Sequence, residues 1–187
     1  MVTQSDINRF GGWYSDVVSH IKRLFGEDAE LFSDLLAATS PRNQVKRNWR
    51  QAKRVLKIWK KTGDADKATA FLMKTLVPNV KRALNRERLH GEKVNRFAKN
   101  LKGDYECVTI DIWMCRAYGI ESKRLDTKLY KKLESKIKRE AEKLGIQPAS
   151  YQAIIWCKIR ECSGLGFRSF MGLINDEAQG VFWDNMN

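Results

Sequence analysis

Proline is scarce in this chain of 187 residues. The three prolines, Pro41, Pro78 and Pro148, each stand where an apolar pattern starts or stops, which is where helices begin or end. No Pro/Gly-rich linker, internal repeat or low-complexity tract divides the sequence, and its length suits one domain with a sizeable core. Apolar residues recur at helical spacing nearly throughout, so we predict an all-α fold.

Cysteine and histidine are few and are not spaced as metal ligands. The cysteines form neither the closely spaced run that holds an iron–sulfur cluster nor the paired Cys-x-x-Cys clips of a zinc site. No Gly-x-x-x-x-Gly-Lys phosphate loop is present. We therefore predict no metal and no cofactor, and thiols that are free and mostly buried. The residues concerned are Cys107, Cys115, Cys157, Cys162, His20 and His90.

Long apolar runs are missing as well. No stretch approaches the length needed to span a bilayer, and the segment 1–10 is polar where a signal peptide would have its apolar core. The sequence thus predicts no membrane association, a cytoplasmic location and, as the simplest assembly, a monomer.

Acidic residues are outnumbered. The chain has 35 Lys and Arg against 22 Asp and Glu, a formal net charge of +13. This imbalance disfavours enzymes of small anionic or neutral metabolites and indicates a polyanionic partner. The segment 41–63 contains no acid at all.

That acid-free segment holds the clearest predicted helix, residues 44–61. Its apolar positions alternate at intervals of four and three and mark a buried face: Val45, Trp49, Ala52, Leu56 and Trp59. A row of cations repeats the same intervals one position on: Lys46, Arg50, Lys53, Lys57 and Lys60. Such a row is usually a solvated face, but a face built only for solubility would mix both signs, so phosphate contact is the better account.

Two residues, Lys93 and Asp111, are the candidates for a catalytic pair. Lys93 follows a glycine in Gly91-Glu92-Lys93-Val94, and Asp111 follows the apolar run 108–110, eighteen residues later. We predict a helix from 94 to 101 after Lys93 and a helix from 112 to 118 that Asp111 caps. Taken alone, Asp111 is more simply a helix cap, and Lys93 is one of many cations; the pair, in this order and separation, carries the argument.

This arrangement resembles the catalytic segment of the helix-hairpin-helix DNA glycosylases of the endonuclease III and 8-oxoguanine glycosylase type. The resemblance makes 87–94 the hairpin, Lys93 the nucleophile and Asp111 the catalytic carboxylate. The segment 32–41 with Val45 and Asn48 is similar to the helix and turn that open the DNA groove in that family. The implied fold is one domain, 1–187, with two helical lobes, roughly 30–105 and 1–29 plus 106–187, and a basic groove between them.

A base pocket follows from the same resemblance. The segment 151–160 is similar to the late helix of 8-oxoguanine-type glycosylases, and Gln152 and Trp156, four residues apart, share a helix face. An amide can read a base edge and an indole can stack on a base, and we add Trp113 to these candidates. Packing in a helical core is the alternative for Trp156.

The residues expected to contact DNA lie in the turn, the basic row and the hairpin: Arg42, Asn43, Lys46, Arg50, Lys53, Lys57, Arg88, His90 and Gly91. The chain departs from the family in two places. The turn lacks the glutamine that commonly fills the gap left by a flipped base, and the hairpin has one glycine where the family usually has two.

The resemblance implies a DNA N-glycosylase that acts on double-stranded DNA and nicks the strand by β-elimination through Lys93. Within that superfamily the chain resembles a small phage-encoded member. Two alternatives stay open. The same residues could serve a transferase that hypermodifies DNA bases, or the chain could be a non-catalytic DNA-binding module in which Asp111 only caps a helix.

Overall fold

The structure is a computed structural model that describes residues 1–162. Over that range it is all-helical, with no strand, and the predicted fold class is confirmed. Two short 3-10 turns, Gly26–Asp28 and Ser122–Arg124, interrupt the helices. The helices are α1 (Gln4–Phe10), α2 (Trp13–Phe25), α3 (Ala29–Ala38), α4 (Val45–Thr62), α5 (Ala65–Thr69), α6 (Val77–Leu84), α7 (Glu92–Leu101), α8 (Ile112–Ala117), α9 (Thr127–Glu142) and α10 (Pro148–Cys162).

Helix α4 lies within one residue of its predicted bounds. It buries Trp49, Ala52 and Leu56, as the apolar spacing predicts. It ends at Gly63, whose left-handed backbone (φ 61°) suits a residue without a Cβ. The ring of Trp49 packs edge-on against Phe32 of α3, with ring centroids 4.8 Å apart.

A buried polar network joins α3 to α4 and fixes the turn between them. The Asn48 side chain donates to the Leu36 carbonyl at 3.0 Å and accepts from the Thr39 hydroxyl at 2.6 Å. Asn43, in the turn, donates to the Thr39 carbonyl at 2.6 Å. These bonds tie the turn to both helices and fix its position after α3, although the Asn43 side-chain oxygen is buried without a partner among the described residues.

Helices α6 and α7 are joined by the loop 85–91. Asn79 of α6 holds the end of this loop: its side chain accepts from the His90 N–H at 2.8 Å and donates to the His90 carbonyl at 3.0 Å. Gly91 then takes a positive φ of 86° and precedes the first residue of α7. Helix α7 begins at Glu92, two residues before the predicted start, because Gly91 and not the first apolar residue sets its beginning. Lys93 therefore lies in the first helical turn.

Two clusters of apolar side chains form the core. The larger joins helices α1 to α7 with part of α10, and the smaller joins the segment 108–115 to α9 and α10. The run Val108–Ile110 is buried, as predicted, and Tyr130 holds it: the phenol donates to the Val108 carbonyl at 2.8 Å and accepts from the Ile110 N–H at 3.0 Å. These two hydrogen bonds fix the segment before Asp111 and so position Asp111 at the start of α8.

Three of the four cysteines, Cys107, Cys115 and Cys157, are buried free thiols and Cys162 is exposed, so mostly buried thiols are confirmed. In the described part of the chain, no helix combines the length and apolarity that crossing a membrane requires. The predicted lobe boundaries stay a prediction, and the portion of the second lobe after residue 162 lies outside the described residues.

Candidate functional site

Lys93 is half-buried between the turn after α3 and its own helix. Its ammonium donates to the Ser40 hydroxyl and lies 5.2 Å from the centroid of the Phe97 ring. Burial lowers the pKa of Lys93 to about 8, against the opposing influence of the Asp111 carboxylate. With a pKa in that range, about one amine in ten is neutral and nucleophilic at pH 7.

Asp111 is held at both carboxylate oxygens. Oδ1 accepts from the backbone N–H groups of Trp113 at 2.9 Å and Met114 at 3.0 Å, so the predicted cap of α8 is confirmed. Oδ2 accepts from the indole Nε1 of Trp156 at 2.9 Å. Capping alone needs one oxygen; the second fixes the plane of the carboxylate and ties α8 to α10.

Lys93 and Asp111 are thus brought into one electrostatic neighbourhood. They come from different elements, the start of α7 and the start of α8, and the carboxylate acts on the pKa of the amine. The two groups make no direct hydrogen bond or ion pair among the described contacts, yet a half-buried amine within electrostatic reach of a fixed carboxylate can supply a nucleophile and stabilise developing positive charge.

The three candidates for a base pocket differ in their surroundings. Gln152 is only 3% exposed, and its carbonyl oxygen accepts from the Tyr14 hydroxyl at 2.9 Å. Burial raises the pKa of Tyr14, so that hydroxyl keeps its proton. Trp113 and Trp156 are half-buried and lie nearer the surface. Gln152 therefore lies in the interior, bonded to Tyr14, whereas the two indoles lie closer to the surface.

Arginine side chains cover the two indoles. The Arg160 guanidinium lies 4.4 Å from the Trp156 ring centroid and 5.5 Å from that of Trp113, and Arg116 lies 4.4 Å from Trp113. Burial lowers the pKa of Arg160, and the charge of Asp111 opposes this. Trp13 packs against Trp156 with ring centroids 6.0 Å apart.

Arg160, Arg116 and Ser40 were not among the predicted site residues. A signal existed for the arginines, because Arg160 follows Trp156 by four residues and Arg116 follows Trp113 by three, spacings that bring helical side chains together. Ser40 meets Lys93 across 53 residues of sequence, and nothing local indicates that contact.

The residues predicted to contact DNA occupy three adjoining regions. The turn carries Arg42, exposed with a left-handed φ of 60°, and Asn43, half-buried and bonded to Gln51 as well as Thr39. In α4, Lys46, Arg50 and Lys57 are exposed and Lys53 is half-buried; in the loop after α6, Arg88, His90 and Gly91 are exposed. Since Ser40 contacts Lys93, the turn and the start of α7 are neighbours, and α4 follows the turn directly.

Two surface clefts are formed by described residues, and the second includes Arg88, one of the residues predicted to contact DNA. One is bordered by Glu106, Lys138 and the segment 145–148, and the other by Asp34, Asn95 and the basic residues Arg86, Arg88, Arg96, Lys99 and Lys102. Neither includes Lys93 or Asp111. Over residues 1–162, no group of three or more His, Cys, Asp or Glu side chains converges as metal ligands would.

Residues 1–163 match the model of a family of unknown function, DUF7178. No curated protein matches the chain. No solved structure matches it either.

Proposed function

We propose that this chain, which belongs to the DUF7178 family of unknown function, is a DNA-binding enzyme that extrudes one nucleotide from the duplex and cleaves its N-glycosidic bond. One observation carries the proposal: the half-buried Lys93 amine, with its pKa lowered to about 8, shares a neighbourhood with the doubly anchored carboxylate of Asp111. The fold that we propose is of the helix-hairpin-helix glycosylase type.

Asp111 serves the departure of the base. Breaking the bond between a base and the sugar C1′ leaves positive charge on the sugar, and a nearby carboxylate stabilises such a charge. The cap bonds and the Trp156 bond hold Asp111 in place before the charge forms, so little reorganisation accompanies the reaction.

Lys93 serves as the nucleophile. Its neutral amine adds to C1′ as the base leaves with the bonding electron pair and takes up a proton from water. The nitrogen then loses its two protons, one of them to the ring oxygen O4′ as the C1′–O4′ bond breaks, which gives a Schiff base. Loss of a C2′ proton to water and departure of the 3′ phosphate with the C3′–O bonding pair complete the β-elimination and nick the strand. Lys93 releases its proton readily because burial disfavours the ammonium form.

DNA binding is proposed along the turn, α4 and the loop after α6. The acid-free segment 41–63 supplies the cations of α4. We propose that a phosphate also binds at Gly91, where the first N–H groups of α7 have no side-chain cap. Nothing lies within 4 Å of the position where a Cβ would stand, so a phosphate can come close to the backbone. We propose that a basic groove between two helical lobes follows these regions and that the protein acts in the cytoplasm on duplex DNA.

Borohydride trapping on a duplex with one abasic site tests the role of Lys93. We expect a covalent protein–DNA adduct from the wild type and from Lys99→Ala, and none from Lys93→Ala. Lys99 is the matched control, because it lies on the same helix and is exposed. Circular dichroism and DNA affinity establish that each variant is folded.

An adduct of equal yield from Lys93→Ala would refute the assignment of the nucleophile. A folded, DNA-binding wild type that forms no adduct would refute the lyase step and leave direct attack by water, base modification or plain binding as the activity.

A further inference from the structure

Within the part of the chain that the structure describes, the Arg160 side chain is held by aromatic rings and not by hydrogen bonds. Its guanidinium lies over the ring of Trp156 and near that of Trp113. Among residues 1–162 it has neither a hydrogen-bond nor an ion-pair partner. With respect to residues 1–162, its five N–H donors in a fixed plane therefore remain for a ligand.

The two rings that position Arg160 are themselves fixed. Trp156 is anchored through its indole Nε1 to Asp111, and Trp113 is the second residue of α8, the helix that Asp111 caps. Arg116 lies against Trp113 as well. The Asp111 carboxylate thus helps to position both tryptophans that contact Arg160. Any group bound by Arg160 lies in the neighbourhood of Asp111, whose charge acts on the guanidinium.

The neighbouring carboxylate bears on the kind of ligand. A phosphate bound by Arg160 would face the negative charge of Asp111, whereas a neutral group with acceptor atoms would not. The guanidinium lies over an indole face, so its free donors point along its own plane. A planar ligand with two adjacent acceptor atoms could therefore pair edge to edge with the guanidinium and lie in the guanidinium plane.

We propose that Arg160 selects the extruded base by a two-point hydrogen bond to adjacent acceptor atoms. This inference rests on the proposed function. Guanine presents such a pair at O6 and N7, the edge that arginine reads in duplex DNA. Unpaired cytosine presents one at O2 and N3, whereas adenine and thymine have a donor beside each acceptor on the corresponding edges. Guanine or cytosine at the extruded position is the ligand class, and Arg160 is the specificity-determining residue.

Fluorescence anisotropy with labelled duplexes tests this inference directly. The duplexes carry one unpaired guanine, 7-deazaguanine, cytosine, adenine or thymine, and a fully paired duplex is the reference. We expect the wild type to bind an unpaired guanine or cytosine about tenfold tighter than adenine or thymine, the discrimination usual for a two-point contact. Loss of the preference with 7-deazaguanine, which lacks the N7 acceptor, identifies the guanine edge; a preference for cytosine identifies the other edge.

Two conservative variants sharpen the test. Arg160→Lys keeps the charge and loses the fork of donors, so we expect the base preference to vanish while affinity for adenine or thymine bulges stays within about twofold. Arg139→Lys is the matched control and keeps the preference, because Arg139 is exposed on α9.

The outcomes separate this inference from the proposed function. A base preference that survives in Arg160→Lys overturns the role of Arg160. Equal loss of affinity for bulged and paired duplexes in Arg160→Ala shows a phosphate contact and also overturns it. An adduct in the borohydride assay without any base preference leaves the proposed function standing and refutes only the selection by Arg160. Absence of both overturns the lyase step and the selection by Arg160; absence of base release from the duplex as well refutes the proposed function itself.

Discussion

At the scale of single residues, Asp111 combines structural and chemical roles. Its side chain caps α8 and also holds Trp156, so the residue is needed for local stability whatever its part in catalysis. A loss of activity on mutation is informative only if stability is measured beside it.

Replacement of Asp111 separates the two roles. We expect Asp111→Ala to lower the free energy of unfolding by about 1–3 kcal/mol, because the cap and the Trp156 bond are both lost. Asp111→Asn keeps an oxygen for the cap and should cost about half as much, yet abolish base removal because the charge is gone. Urea denaturation and single-turnover excision give the two quantities. Full excision activity in Asp111→Asn would show that the residue is only a cap.

Lys93 predicts a pH dependence of stability. Its pKa is about 8 in the folded chain against 10.5 for an ordinary lysine, so the unfolded state binds more protons between these values. The contribution of Lys93 to stability therefore rises with pH across that window, and below it the buried charge is a cost. We expect Lys93→Met to be more stable than the wild type at pH 7 and the difference to shrink toward pH 10.5 in urea denaturation. A difference that does not change with pH would mean that the amine is well solvated.

At the scale of elements, helix α4 was the easiest to predict and the turn before it the hardest. The bounds of α4 follow from apolar spacing and a closing glycine, which are local signals. The start of α7 was misplaced by two residues because the conformation of Gly91 sets it, and the apolar pattern begins only at Val94. The contact of Ser40 with Lys93 depends on how α3 packs against α7, which no local pattern encodes.

The basic row of α4 predicts the salt dependence of DNA binding. If Arg50 and Lys57 contact phosphates as we propose, the double variant Arg50→Gln/Lys57→Gln should reduce the slope of log K against log salt by about two units. The control is Lys131→Gln/Lys132→Gln, which removes the same charge from exposed positions of α9, a helix with acids among its cations. Equal slopes for the two double variants would make the α4 row a solvated face.

The turn after α3 has its own energetic test. Asn48→Ala removes the amide that bonds both α3 groups: the Leu36 carbonyl loses its side-chain donor, and the Thr39 hydroxyl keeps only acceptors within α3, chiefly the Leu35 carbonyl at 2.8 Å. We expect a loss of about 2 kcal/mol in the free energy of unfolding, with weaker borohydride trapping because Ser40 is no longer held against Lys93. A variant as stable as the wild type would show that packing alone fixes the turn.

At the scale of the whole molecule, the sequence predicted the fold class and the capping role of Asp111 because both rest on spacing within short segments. The surroundings of Gln152 and Arg160 were not predictable in the same way. Gln152 and Trp156 were paired by spacing, yet Tyr14, distant in sequence, takes up the Gln152 oxygen. Arg160 becomes notable only when α8 and α10 bring both Trp113 and Trp156 close to its guanidinium.

Mass spectrometry of DNA after co-expression with the protein tests the central claim most directly. The account predicts release of a free base, with abasic sites or the nicks that β-elimination makes at them, in cells that make the wild type, and neither in cells that make Asp111→Asn. Intact DNA whose nucleosides have gained mass would contradict it and identify a base-modifying transferase, while unchanged DNA under a protein that binds it would identify a binding module.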